Sequence, residues 1–124
     1  MFFKRQRPAE KNTGAQAEAH AEAFLLQQGL VKCAKNYRCK LGEIDLIMRD
    51  RDVLVFVEVR LRTHQAFANA AESVTIRKQQ KIIKTARYYL QEHGLTDSVN
   101  CRFDVIAFSD KGTPEWIKDA FSAA

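Results

Sequence analysis

The chain has 124 residues, 46% of them hydrophobic, which suffices for one compact domain with its own core and is too little for two. No run of about 18 apolar residues occurs, which excludes a membrane-spanning helix. The net charge of +5 favours an acidic partner, and nucleic acid is the commonest of these.

Residues 1–12, MFFKRQRPAEKN, place two phenylalanines before Lys4, Arg5, Arg7 and Lys11. The stretch lacks the apolar segment of about 7–15 residues that marks a secretory signal. It reads as a flexible basic tail ahead of a single domain over 13–124. Without a signal, Cys33, Cys39 and Cys101 read as reduced thiols of a cytoplasmic chain. No further His or Cys stands near Cys33 and Cys39 to complete a zinc site, so all three are expected as small, partly buried side chains.

Thr13 with Gln16 fits a capping box. Ala17, Ala21, Phe24, Leu25 and Gln28 then follow helical spacing up to Gly29, a natural stop. The first helix is expected over 14–28. LVKCAKNYR alternates Val31, Cys33 and Ala34 with lysines and suits an edge strand. EIDLIMR and VLVFVEVRL, on either side of the turn signal Asp50-Arg51-Asp52, read as adjacent antiparallel strands. Residues 62–73 read as a loop.

A second helix is expected over 74–92, with Gly94 behind it. Its wheel sets Gln79, Ile82, Ile83, Ala86, Tyr89 and Leu90 on one side and Arg77, Lys81 and Lys84 on the other, flanked by Lys78 and Arg87. VNCRFDVIAFS gives a fourth strand, DKGTP a turn, and EWIKDAF a short strand or a final turn of helix. The order α-β-β-β-α-β-β describes an α/β fold with a mixed sheet flanked by helices.

Within GEIDLIMRDRDVLVFVEVRLR, residues 42–62, Glu43, Asp45, Glu58 and Arg60 interrupt apolar runs. Strand alternation puts Glu43 on one face with Asp45, and Glu58 on one face with Arg60. Pairing about the 50–52 turn brings Asp45 and Glu58 to one patch at the sheet edge. Two close carboxylates repel, and one pKa rises unless a cation lies between them. Mg²⁺ (or Mn²⁺) suits that place, since Mg²⁺ takes one or two protein carboxylates and fills the rest of its shell with water or phosphate. A neighbouring base can hold a phosphate or stabilise its charge. A solvated charged face, with Arg60 pairing Glu58 or Glu43, satisfies the same periodicity.

Gly42 to Ile47, GEIDLI, followed by Phe56 to Arg60, FVEVR, resembles the YraN family of restriction-endonuclease-like proteins. That family lies within the PD-(D/E)xK nuclease superfamily, with Holliday-junction resolvases as near relatives. GAQAEAHAEAFLLQQGL is similar to the family's first helix, SVTIRKQQKIIKTARYYL to its second, and CRFDVIAF and EWIKDAF to its last strands, so the resemblance covers roughly residues 13–121. It implies a restriction-endonuclease-like core in a bacterial, cytoplasmic protein. It also implies Asp45 and Glu58 as metal ligands and catalytic acids, with Glu18 reaching them from the first helix and Lys78 at the family's lysine. Glu43 stands where the superfamily often has proline, and reads as an accessory ligand or as the ion-pair partner of Arg60. Arg60 itself stands where the superfamily motif ends in lysine. Arginine keeps its charge at any working pH, so it cannot be a general base, but it can orient a phosphate and stabilise developing charge. Asp104 reads as the salt-bridge partner of Arg102.

Arg77, Lys81 and Lys84 form a basic stripe with Tyr88 in the same sector, and Arg62 and Lys78 are counted with them. Such a stripe gives salt-sensitive phosphate contacts, and an exposed tyrosine can stack on an unpaired base. Lys32, Lys35, Arg38 and Lys40 add a second basic segment. The leading expectation is a metal-dependent nuclease acting on nucleic acid, DNA before RNA, in branched or single-stranded form. A homodimer is expected by analogy with junction-cutting relatives. A nucleic-acid-binding domain without activity, or a module that meets an acidic protein partner through the basic helix, are the alternatives.

Overall fold

The computed structural model describes residues 14–61, 74–109 and 114–123. The elements run α1 (Gly14–Gln27), β1 (Val31–Cys39), β2 (Gly42–Asp50), β3 (Val53–Leu61), α2 (Ile76–Glu92), β4 (Asn100–Phe108) and β5 (Glu115–Phe121). This is the expected α-β-β-β-α-β-β order, and EWIKDAF is a strand. The five strands form one sheet in the order β1-β2-β3-β4-β5. Neighbours are antiparallel except β3 and β4, which run parallel. Parallel neighbours need a long crossover, and α2 lies in the segment that joins them.

β3 sits mid-sheet, and Leu54 to Val57 are buried in succession, the pattern of a strand covered on both faces. Val55 and Val57 pack with Leu46, Met48 and Ile106 under Ala17, Ala21 and Leu25 of α1. Leu54 and Phe56 pack with Ile47, Phe103 and Val105 under Ile82, Ala86 and Tyr89 of α2. Each helix thus covers one face of the sheet. The alanines of α1 let its backbone approach β2 and β3 closely. α2 starts after Thr75, whose hydroxyl accepts the Lys78 amide at 3.2 Å as its N-cap. The expected start at 74 is therefore two residues early, because the capping residue is itself non-helical.

β1 is the edge strand its lysines suggested, and Cys33 on it is exposed, as is Cys101. Only Cys39 is partly buried; all three thiols are free. Among the described residues no helix is long and apolar enough to cross a membrane. The basic tail, Thr13 of the capping box, the 62–73 loop with Arg62, and most of the DKGTP turn lie outside the described residues.

An acidic and cationic cluster where the sheet opens

The β2–β3 ladder runs from Asp50↔Val53 to Leu46↔Val57 and stops there, one rung short of Asp45 and Glu58. Beyond the last rung the Val59 amide of β3 donates to the Asp45 carboxylate at 2.8 Å. A side chain thus takes over from the ladder and pins the acid across the gap.

The neighbouring pair of strands is irregular at the same level. Lys35 pairs with Leu46 and Tyr37 with Ile44, so each couple straddles Asn36 and Asp45. Lys35 reaches Glu22 of α1 at 3.4 Å, and Leu46 packs on the α1 side. Tyr37 meets Tyr89 of α2 edge-on, and Ile44 packs on the α2 side. Residues two apart on a regular strand share a face, so both strands change faces between these couples. Asn36 makes the change on β1 with a left-handed φ of 54°, a conformation that asparagine tolerates better than most residues. Simple alternation, which set Glu43 and Asp45 side by side, does not hold across this break. Glu43 instead pairs with Arg38, its cross-strand neighbour, at 3.0 Å and is not the partner of Arg60.

Around the opening three acids meet. Glu18 of α1 and Asp45 stand close enough for each to shift the other's titration. The Asn36 side chain favours the charged form of Glu18. Burial, then the Asp45 charge, push the Glu18 pKa up. Burial pushes Asp45 up as well, against the pull of the Val59 amide and Lys78. Glu58 is 5% exposed. Its pKa is pushed up to about 7, first by burial and then by the Asp45 charge.

Two cations stand on Glu58. Lys78 Nζ lies 3.5 Å and Arg60 Nη1 3.6 Å from the same carboxylate oxygen. Arg60 therefore pairs with Glu58, one of the two partners its spacing allowed. Its Nε is buried and, among the described residues, has no hydrogen-bond partner. The helical wheel puts Lys78 at the border of the basic face. The structure turns it inward, half-buried, onto the acids.

Arg77, Lys81, Lys84 and Tyr88 are exposed on α2, as the wheel sets them. The second basic segment is less free than its composition suggests. Lys32 and Lys35 both bind Glu22, at 3.1 and 3.4 Å, and Arg38 binds Glu43. Those long-range pairs are not visible in local spacing. Asp104 is fully buried and accepts from Arg102 at 3.0 Å, from the Trp116 indole at 3.0 Å and from the Asp119 amide at 2.9 Å. This is the structural role expected for it. Asn36 is the site residue that periodicity missed; the signal available was an asparagine placed inside a strand pattern.

The profile of the Uncharacterised protein family UPF0102 matches residues 17–108. The chain belongs to this family, the YraN family. A UPF0102 protein of Methylobacillus flagellatus is 52% identical over 115 residues, covering 91% of this chain and 99% of its own. One from Saccharophagus degradans is 52% identical over 110 residues, covering 89% and 92%. One from Alkalilimnicola ehrlichii is 46% identical over 125 residues, covering 98% of both. The UPF0102 match spans Glu18, Asn36, Asp45, Glu58, Arg60 and Lys78.

Proposed function

We propose that this UPF0102 chain is a divalent-metal-dependent phosphodiester hydrolase of nucleic acid, built on a restriction-endonuclease-like core of the PD-(D/E)xK type. The observation that carries the reading is the convergence of Asp45, Glu58 and Glu18 with Lys78 and Arg60 where the β2–β3 ladder ends. All three acids have raised pKa values, with burial the largest cause in each, and Lys78 and Arg60 do not offset it at Glu58.

The donor set is all oxygen, which fits a hard cation such as Mg²⁺ or Mn²⁺. Among the described residues no group of three or more Asp, Glu, His or Cys side chains is placed to hold a metal ion, so a cation here would rest on fewer protein ligands. Mg²⁺ suits such a partial shell, because it is bound through one or two carboxylates and keeps several waters. Asp45 and Glu58 would hold it, with Glu18 behind Asp45. Such a cation, when bound, would supply Lewis acidity toward a phosphate and lower the pKa of water.

The chain's own residues do the rest. Asp45 is locked by the Val59 amide, so its carboxylate is pre-positioned. Glu58, poised near neutrality, gives up its proton as positive charge arrives. Arg60 offers a buried Nε–H that lacks an acceptor, and a phosphate oxygen is a charge-assisted one. Lys78 brings an ammonium to the same carboxylate from α2, in a site where the strand motif itself ends in arginine.

A nucleic-acid-binding domain that has kept the fold without activity is the second reading, favoured by Arg60 in the superfamily's lysine position. The test is a panel of duplex, single-stranded, flap, four-way-junction and RNA substrates, with Mg²⁺ and with Mn²⁺, on wild type and Asp45→Ala. Metal-dependent cleavage abolished in Asp45→Ala is the expected result. Binding with no cleavage under either metal would establish the second reading, and absence of both would overturn the two together.

A further inference from the structure

We propose that the cleft between the β1–β2 hairpin and the first half of α2 receives one unpaired nucleotide, so that the protein selects single-stranded over duplex DNA. The inference rests on the nucleic-acid reading above and adds the form of the strand.

The cleft has a volume of about 380 Å³ and is lined by Arg38, Cys39, Gly42 and Glu43 from the hairpin and by Lys78, Lys81 and Ile82 from α2. Arg38 and Glu43 pair with each other, so the charge the cleft presents beyond that pair is that of the two lysines. That is the low end of small-ligand pockets, which span about 300–1,000 Å³. It suits a single nucleotide and not a base pair carrying two backbones. Its shape depends on Gly42. A Cβ at this position would lie 2.9 Å from Thr85 Oγ1, so the missing side chain lets the hairpin end seat directly on α2. Thr85 is fully buried and donates its hydroxyl to the Lys81 carbonyl at 2.8 Å. The hairpin end therefore rests on a fixed point.

The cations form a path out of the acid cluster. Lys78 belongs to both places: it lines the cleft and stands 3.5 Å from Glu58. Lys81 follows three residues on, so the two side chains are neighbours along one helix face. A strand with one phosphate at the Arg60 guanidinium, whose Nε lacks a partner among the described residues, would lay its next phosphate along this pair.

The apolar features decide the form of the strand. Ile82 gives the cleft an apolar wall. Leu41, 46% exposed, stands at the hairpin tip beside Gly42. Tyr88, 42% exposed, follows Lys81 by two turns on α2. A duplex presents phosphates outward and keeps its bases stacked inside, and it would leave these surfaces without a partner. An unpaired strand offers free base faces to an aromatic and an apolar wall while its phosphates follow the lysines.

The experiment is fluorescence anisotropy at low salt without divalent cations, using a labelled oligothymidylate of about twelve nucleotides and a blunt duplex of equal length. The oligothymidylate should bind about tenfold more tightly than the duplex, the effect of one stacked base. Lys81→Ala and Tyr88→Ala should each narrow that preference. Lys84→Ala, on the same helix but outside the cleft lining, should weaken both probes alike. Circular dichroism on each variant confirms that the fold is retained. Equal affinity of wild type for the two probes, or a preference intact in both Lys81→Ala, which alters the cleft wall, and Tyr88→Ala, which removes the exposed ring further along α2, would overturn this inference and leave the nucleic-acid reading standing. Binding to neither probe would overturn both.

Discussion

Glu58→Gln should make the metal-free protein more stable at alkaline pH, although it deletes a charge that touches two cations. The sign follows from linkage. Glu58 has a folded pKa of about 7 against an ordinary carboxyl value of 4.5, so the folded state holds this proton more tightly than the unfolded chain does. Below the ordinary value both states are protonated and the group contributes no penalty. Between there and about 7 the unfolded chain releases its proton while the folded protein keeps it, so stability falls as pH rises. Above about 7 the loss is complete, and the interval corresponds to an upper figure of about 3 kcal/mol. Glutamine has the shape of the protonated form and cannot ionise, so the variant escapes the loss. Urea melts at pH 5 and pH 8 measure it: the wild-type loss over this interval should exceed that of Glu58→Gln by about 1–3 kcal/mol. Taking the difference between the two proteins cancels the titrating groups that do not interact with Glu58, such as Glu22, whose pKa is lowered by Lys32, and leaves Glu58 together with the Asp45 titration coupled to it. Saturating Mg²⁺ at pH 8 should restore wild-type stability and leave Glu58→Gln unmoved. If the variant is instead less stable at pH 8 than at pH 5, relative to wild type, the ion pairs with Lys78 and Arg60 outweigh burial and the argument is refuted.

Lys81→Ala with Lys84→Ala should reduce the slope of log affinity against log salt by roughly one for each phosphate that is no longer neutralised; an unchanged slope in anisotropy titrations means that this face is only solvated. Arg60→Ala should weaken nucleic-acid binding by about 1–3 kcal/mol, whereas Arg60→Lys should keep fold and affinity and raise Mg²⁺-dependent cleavage, read from single-turnover rates. Asn36→Gly keeps the left-handed backbone and removes the side-chain amide that favours the charged form of Glu18, so urea melts should find it near wild type while calorimetry finds weaker Mg²⁺ binding. Asn36→Ala should lose a further ~1–2 kcal/mol of stability, the cost of a Cβ in that conformation.

Much of the fold is legible because β3 is so regular. Its unbroken apolar run from Val53 to Val57 specifies a strand covered on both faces, and the covering helices announce themselves by Ala17, Ala21 and Leu25 on one side and Ile82, Ala86 and Tyr89 on the other. The site is legible only where the strands stay regular. Arg60 falls beside Glu58 as alternation requires. Glu43 and Asp45 do not obey the same rule, because the pleat is interrupted at Asp45 and opposite it at Asn36. Nothing in the spacing says that Gly42 and Thr85 meet, since that contact depends on how the hairpin end seats on α2. Lys78 is ambiguous in the sequence for a related reason. A residue at the border of a helical face turns inward or outward according to what waits there, and here it is a buried acid.

The arrangement of charges has a consequence that no single pair reveals. Two cations within 4 Å ordinarily hold a carboxylate below its usual range, yet Glu58 is pushed up to about 7 with Lys78 and Arg60 both in place. Burial and the Asp45 charge therefore exceed what the two side chains supply. Glu18 adds a third acid, whose own pKa is raised by burial and by the Asp45 charge. A purely structural cluster gains nothing from this state, because an ion pair that fails to neutralise a buried acid leaves a net penalty. The penalty falls when more positive charge enters, and it falls most at the open rung, where Asp45 is pinned and the sheet supplies no further amide. The unpartnered Arg60 Nε–H beside that opening wants the opposite, an anionic oxygen. A hydrated divalent cation carrying a phosphate meets both demands at once, whereas a lone metal ion or a lone phosphate meets only one. Under the hydrolase reading proposed above, these residues would be more complementary to the metal–phosphate pair than to either component, which is the property that a phosphodiester hydrolase needs at its reacting centre.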